Sequence, residues 1–311
     1  MGSTINTVAG PVSSDALGRT LMHEHVFVEY GTALQDCRPL GAAREQILST
    51  CFEVAARVRA CGVKTIVDPT TTDLGRNVPL LKAVSEHSGL NIICCTGIYS
   101  TSTYQALRLR LGGPGAIAEL FIRELSQGIG ESGVKAGIIK LVTGSEIDDD
   151  DHELLSACAR ASVATGAPII THTEGILGPE QQKILHAEGV PLQKIIVGHS
   201  CISTNFNYHR QIVEMGSYIG FDRFGMEGGM PDEVRVQCLK KLIDAGFLDR
   251  LIVSHDSVWY WVNGPKIGSG PYKNWKPTNF FERVIPMLQY AGVSDEQIET
   301  ILTDNPRRYF S

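Results

Sequence analysis

Two histidines one residue apart, His23 and His25, sit in the run Gly18-Arg19-Thr20-Leu21-Met22-His23-Glu24-His25-Val26-Phe27-Val28, which is apolar enough to read as a buried strand. Alternate residues of a strand face the same side, so both imidazoles project together and Glu24 points away. Two imidazoles on a rigid strand make half of a tetrahedral metal site. The competing reading is a pair of satisfied core histidines, and other ligand-type residues decide between the two. Lys140 lies inside Gly137-Ile138-Ile139-Lys140-Leu141-Val142, while His172, His199 and Asp256 end the apolar runs that begin at Pro168, Lys194 and Arg250. These six residues exceed the needs of one zinc ion and point to two metals close together.

Lys140 has two readings. An ammonium inside an apolar strand is costly unless it is paired or its pKa is driven down. It is either half of a buried ion pair with Asp256 or Asp68, or a neutral amine that has added carbon dioxide. The resulting carbamate is an anionic, two-oxygen ligand able to bridge two cations. His87, His152, His186 and His209 fall in helical or loop patterns and read as surface or structural. His255 alternates with Asp256 and is expected to point away from the site.

These residues need a frame to bring them together. Eight short β-branched runs alternate with helical patterns: 18–28, 62–68, 91–97, 137–142, 168–172, 194–199, 216–222 and 250–256. Helices are expected over roughly 42–60, 78–87 and 151–164. Each run is too apolar to face water on either side, which is the pattern of a parallel sheet wrapped by helices. Eight such units predict an α/β fold closed as a (β/α)8 TIM barrel, with active-site residues at the C-terminal ends of the strands. No G-x-G-x-x-G follows the first strand, which argues against a dinucleotide fold. One domain over 1–311 is expected, with 1–17 as a short N-terminal cap and long loops after strands 3, 7 and 8.

Composition narrows the function classes. The chain has 311 residues, 43% hydrophobic and 20% charged, with a formal charge of −6. That charge gives no basic footprint for nucleic acid or an anionic membrane. No run reaches the length of a membrane span, and the N-terminus lacks the basic and apolar regions of a signal peptide. The eight cysteines are scattered without a C-x-x-C and read as reduced residues of a cytoplasmic protein. The partner expected is a small-molecule substrate.

Taken in order, Gly18–His25, Gly137–Lys140, Thr171-His172-Thr173, Val197-Gly198-His199, Asp222-Arg223-Phe224-Gly225, Ser254-His255-Asp256 and Asp304-Asn305-Pro306-Arg307-Arg308 resemble the phosphotriesterase family of the amidohydrolase superfamily, in particular its phosphotriesterase-like lactonase branch. The resemblance covers essentially the whole chain. It implies a binuclear centre: His23, His25 and Asp256 on the buried metal, His172 and His199 on the exposed one, and carboxylated Lys140 with a hydroxide as bridges. Zinc, cobalt, manganese or iron suits this ligand set. Attack by the bridging hydroxide is implied, with Asp256 accepting the proton. Tyr99 matches the lactonase-branch tyrosine after strand 3, as a contact to substrate or bridging solvent or as packing at the rim. Arg223 matches the arginine that begins loop 7, as a substrate contact or as an anchor of that loop through Asp222. Trp259 and Trp261 are expected to wall the leaving-group pocket.

The implied activity is lactone hydrolysis, with acyl-homoserine lactone and hence quorum quenching as the family default, and promiscuous organophosphate triesterase activity. Another ester, phosphoester or amide hydrolase on the same site is the alternative. A non-catalytic ligand-binding barrel is disfavoured, because a buried charged cluster without metal is destabilising. A homodimer is expected by resemblance. The chain departs from that branch after the tyrosine, where Tyr99-Ser100-Thr101-Ser102-Thr103-Tyr104-Gln105 has neither an adjacent aromatic nor a proline. Loop 7, at 225–230, is short and glycine-rich, and Trp259, Tyr260 and Trp261 crowd the strand-8 segment.

Overall fold

Alternation along the apolar runs divides the core into two layers. Val67, Ile93, Cys95, Ile138, Ile170, Ile196, Tyr218 and Ile252 pack together in one cluster. Their strand neighbours Ile66, Ile92, Cys94, Ile139, Ile169, Ile195, Ile219 and Leu251 belong to a second cluster with the helices. Strands buried on both faces are what a closed parallel barrel needs. The computed structural model describes residues 2–31 and 39–311.

A hairpin of β1 (Thr4–Thr7) and β2 (Gly10–Ser13) precedes β3 (Thr20–Leu21) and β4 (Glu24–Val28). There follow β5 (Thr65–Asp68), β6 (Asn91–Gly97), β7 (Ile138–Val142), β8 (Ile169–His172), β9 (Ile195–Val197), β10 (Tyr218–Phe221), β11 (Leu251–Val253) and β12 (Ser257–Trp261). Parallel pairing runs without interruption from β3 through β5 to β11, and β12 pairs with β4. The seam is closed by the register Val258 against His25 and by the Asp256 N–H donating to the His23 carbonyl at 3.0 Å. The barrel is nearly closed, with helices such as Arg44–Ala60, Val78–Ser88 and Asp149–Thr165 on its outside.

Several expectations are corrected. The first and eighth strands are not continuous: His23 lies in the break between β3 and β4, and Asp256, at a left-handed φ of 53°, in the break between β11 and β12. The N-terminal cap is the β1–β2 hairpin, and it places Ile5 beside Leu17, Tyr309 and Phe310 in the inner cluster, so both ends of the chain plug the barrel floor. The segment after β6 is not a long loop but carries helices Thr101–Leu111 and Pro114–Ser126. The helix expected from residue 151 begins at Asp149, where the Asp148 side chain accepts the Asp151 N–H in a capping box. Seven cysteines are free thiols, and Cys37 lies outside the described residues.

Candidate active site

Strand ends assemble the site at one mouth of the barrel. His23 and His25 project together as β4 begins, with ring centroids 5.2 Å apart. Lys140 comes from β7, His172 ends β8, His199 follows β9, and Asp256 sits at the break between β11 and β12. All six line one cavity of about 150 Å³. A roomier groove of about 620 Å³, around His152, Ser156 and Arg160 on the outer helices, shares none of them. Close strand approach at Lys140 depends on Gly97, whose φ is 125° and where a Cβ would run into the Lys140 carbonyl.

Asp256 is the hub. Its Oδ1 lies 3.2 Å from His23 Nε2 and 3.1 Å from His25 Nε2, and its Oδ2 lies 3.8 Å from His199 Nε2. His23, His199 and Asp256 each offer a ligand atom within 4.8 Å of the others, a site able to hold a metal ion. His199 and Asp256 both adopt left-handed backbone conformations, at φ 57° and 53°. Such conformations in non-glycine residues are costly and cluster at functional sites.

The fit to metal rests on buried nitrogens that make no hydrogen bond among the described residues. Among the described residues, His23 Nε2, His172 Nδ1 and Lys140 Nζ have no hydrogen-bond partner. A buried polar atom left unpaired costs free energy, and three around one cavity fit a ligand set for cations. The ion pair between Lys140 and Asp256 or Asp68 is therefore not formed. Asp68 instead accepts from the Val26 and Thr70 N–H groups, at 3.0 and 2.9 Å.

Burial also sets the protonation. It lowers the Lys140 pKa from 10.5 to about 8, against the pull of Asp256 and Asp222. Burial, then Lys140, lowers His23 to about 4. His199 and His172 are pushed down by burial as well. Neutral imidazoles are the metal-binding form. Burial works against ionising Asp256, yet His199, His23, His25 and Arg223 hold its carboxyl well below the usual range. Burial raises the Tyr99 phenol to about 12, so it stays protonated and can donate.

Behind the ligands stands a set of orienting groups. Asp222, fully buried, faces His23 Nδ1 at 3.1 Å and His199 Nδ1 at 3.0 Å, and also accepts the His199 N–H at 2.8 Å. His25 Nδ1 lies 2.7 Å from Thr70 Oγ1. Glu24 points away, as alternation requires, and its buried carboxylate accepts from Ser254 Oγ, His255 N and His255 Nδ1 at 2.8, 3.1 and 2.6 Å. His255 accordingly turns out of the barrel, and its Nε2 accepts the Phe280 N–H. The Asp73 carboxylate accepts the Tyr99 N–H at 3.1 Å and the Ser100 N–H at 2.8 Å, fixing Tyr99 edge-on to His172.

With this geometry the comparisons are decisive. The phosphotriesterase family model matches residues 3–310. The chain belongs to the phosphotriesterase family. It is 35% identical to an aryldialkylphosphatase of Saccharolobus solfataricus over 306 residues, 96% of this chain and 97% of that one. An organophosphorus hydrolase from Deinococcus radiodurans superposes with a TM-score of 0.91 at 36% identity, covering 100% of this chain and 97% of the other. A mutant of a PTE-like lactonase from the same organism gives 0.90 at 35%, covering 99% and 100%. This phosphotriesterase-family chain is a hydrolase.

Two expectations about the pocket of this family member change. Arg223 does not anchor loop 7 through Asp222, which is spent on the two imidazoles. Its Nε donates to Asp256 Oδ2 at 3.1 Å, and its Nη1 lies 3.9 Å from Glu174 Oε2. Trp261 lines the cavity, but Trp259 does not: Val258 faces the cavity, so Trp259 turns into the layer against the helices. The second indole of the wall is Trp275, which carried no signal in the sequence because it lies far outside any regular run.

Proposed function

We propose that this protein is a binuclear-metal-dependent lactonase with secondary phosphotriesterase activity. The observation that supports the reading is that three buried nitrogens without a hydrogen-bond partner among the described residues, His23 Nε2, His172 Nδ1 and Lys140 Nζ, belong to side chains lining the cavity that Asp256 also lines. In this reading His23, His25 and Asp256 hold one divalent ion and His172 and His199 the second. Lys140 would join them as a carbamate, formed when the neutral amine adds carbon dioxide and releases one proton, and would offer two anionic oxygens to the cations. Bound divalent ions supply an electrophile for a carbonyl or phosphoryl oxygen and lower the pKa of water. The chain supplies the rest.

Asp256, which its neighbours keep ionised, is placed to accept the proton of the attacking water. Arg223 holds the other carboxylate oxygen and steers Asp256 toward the histidines. The Tyr99 hydroxyl, kept protonated by burial, donates to the ring oxygen of the lactone as the acyl bond opens. Trp261 and the apolar Val28, Leu74, Met226 and Val258 exclude water from the same cavity. An uncharged cyclic ester such as an acyl-homoserine lactone meets these walls without stranding a charge.

A hydrolysis screen tests the reading. Zinc-replete protein is assayed on lactones of varied ring size and acyl length and on a chromogenic phosphotriester. Lactone turnover well above triester turnover is expected. The reverse order would make the protein a triesterase first and remove the role given to Tyr99.

A further inference from the structure

We infer that Trp275 is a positioning and specificity residue: its indole N–H holds the backbone that aims Asp256, while its ring walls the substrate cavity. The inference rests on the reading of Asp256 as a metal ligand. Trp275 Nε1 donates to the carbonyls of both His255, at 2.9 Å, and Asp256, at 3.1 Å. That peptide is where the eighth strand breaks, with Asp256 at φ 53°. A non-glycine residue persists in this conformation only when its surroundings over-determine it. The indole supplies a fixed donor to the carbonyls of the peptides on both sides of Asp256.

Its own placement is constrained from behind. Gly225 of loop 7 has a φ of 88°, and a Cβ there would come within 2.9 Å of the Trp275 Cα. Only a residue without a side chain lets loop 7 back so closely onto this segment. On the cavity side, Trp275 meets the Trp261 ring edge-on at a centroid distance of 6.2 Å, and Tyr272 lies at 5.8 Å. The indole of Trp259, by contrast, has no hydrogen-bond partner among the described residues. One side chain thus joins the wall that meets the substrate to the strand break that presents the ligand carboxylate. A substrate that displaces the Trp275 ring also moves Asp256.

The test separates the two halves of the side chain. Trp275→Phe keeps a ring in the wall and removes the N–H. It is expected to lower the affinity of the stripped protein for zinc by about 10- to 100-fold, the range for loss of an outer-shell partner. kcat should fall and the acid limb of kcat against pH should move, while KM for an apolar-substituted lactone stays near the wild-type value. Trp261→Phe alters the wall without touching Asp256, and should change KM and leave zinc affinity alone. Wild-type zinc affinity and kcat in folded Trp275→Phe would overturn the inference. Wild-type protein that binds no zinc would instead overturn the functional reading beneath it. Should Trp275→Phe fail to fold, the Trp275 indole N–H resonance of the wild-type protein decides. It should be protected from exchange and shift on zinc addition, and a freely exchanging, unshifted resonance would overturn the proposal.

Discussion

Asp222 Oδ2 lies 3.1 Å from the Nδ1 of His23, a residue 199 positions earlier in the chain, with both side chains fully buried. The contact leaves the Nε2 of His23 directed toward Asp256. The other carboxylate oxygen does the same for His199. One carboxylate therefore fixes the ring orientation of two candidate ligands on different strands. Asp222→Ala is expected to weaken zinc binding by about 10- to 100-fold. Competition with a chromogenic chelator measures it; unchanged affinity would remove the orienting role.

The buried Lys140 amine has no hydrogen-bond partner among the described residues. Lys140→Ala should reduce metal content from about two ions per chain to about one and abolish most activity, as expected if a bridging ligand is lost. Short carboxylic acids added to the variant should restore part of the rate by occupying the vacated space. Metal analysis by mass spectrometry reads the first effect, and full metal content in the variant would contradict the carbamate.

The metal-stripped protein should lose stability in acid. Burial holds the His23 imidazole at about 4 in the folded state, against an ordinary value of 6.5. Between these values the unfolded chain binds more protons, so stability is fully present above about 6.5 and falls as pH drops toward about 4. His23 alone accounts for a loss on the order of 3 kcal/mol. His172 and His199 shift in the same direction. Urea unfolding midpoints of stripped protein, compared at about pH 7 and about pH 5, should fall with pH, and a constant midpoint would contradict the buried neutral imidazoles.

Glu24 serves the seam rather than the cavity. Its carboxylate accepts from Ser254 and His255 in the break between β11 and β12 and from Ser257 at the start of β12. In Glu24→Gln the amide nitrogen faces donors it cannot accept from, at a cost of about 2–4 kcal/mol. Thermal unfolding with matched metal content measures this, and a wild-type midpoint would show that the seam does not depend on the charge.

The grouping of the candidate ligands around one cavity was legible because strand periodicity and barrel topology do most of their placing. A period of two puts His23 and His25 on one face, and closure brings Asp256 to them across β4 and β12. Helix starts shifted by about two residues, at Asp149 where the Asp148 cap decides the first turn and at Arg44 where a short 3-10 turn precedes the helix. Asp222, Asp73 and Trp275 were not legible in their roles. Each acts through a partner fixed by tertiary pairing, such as the 199 positions between Asp222 and His23, and no local pattern encodes that distance. Trp259 misled for a related reason, while Trp261 lines the cavity as the resemblance implied. Alternation assigns both to one face, but Val258 takes the cavity side next to Trp259, and the alternation is lost before the rim, where Trp261 pairs with Val28. Arg223 found Asp256 because Asp222 was already engaged.

The central claim is that hydrolysis by this barrel depends on metal held by its six strand-end ligands. The direct measurement is lactone hydrolysis by chelator-stripped protein titrated with zinc. Activity should be absent at the start and rise to a plateau at about two equivalents. Full turnover by the stripped protein would contradict the account.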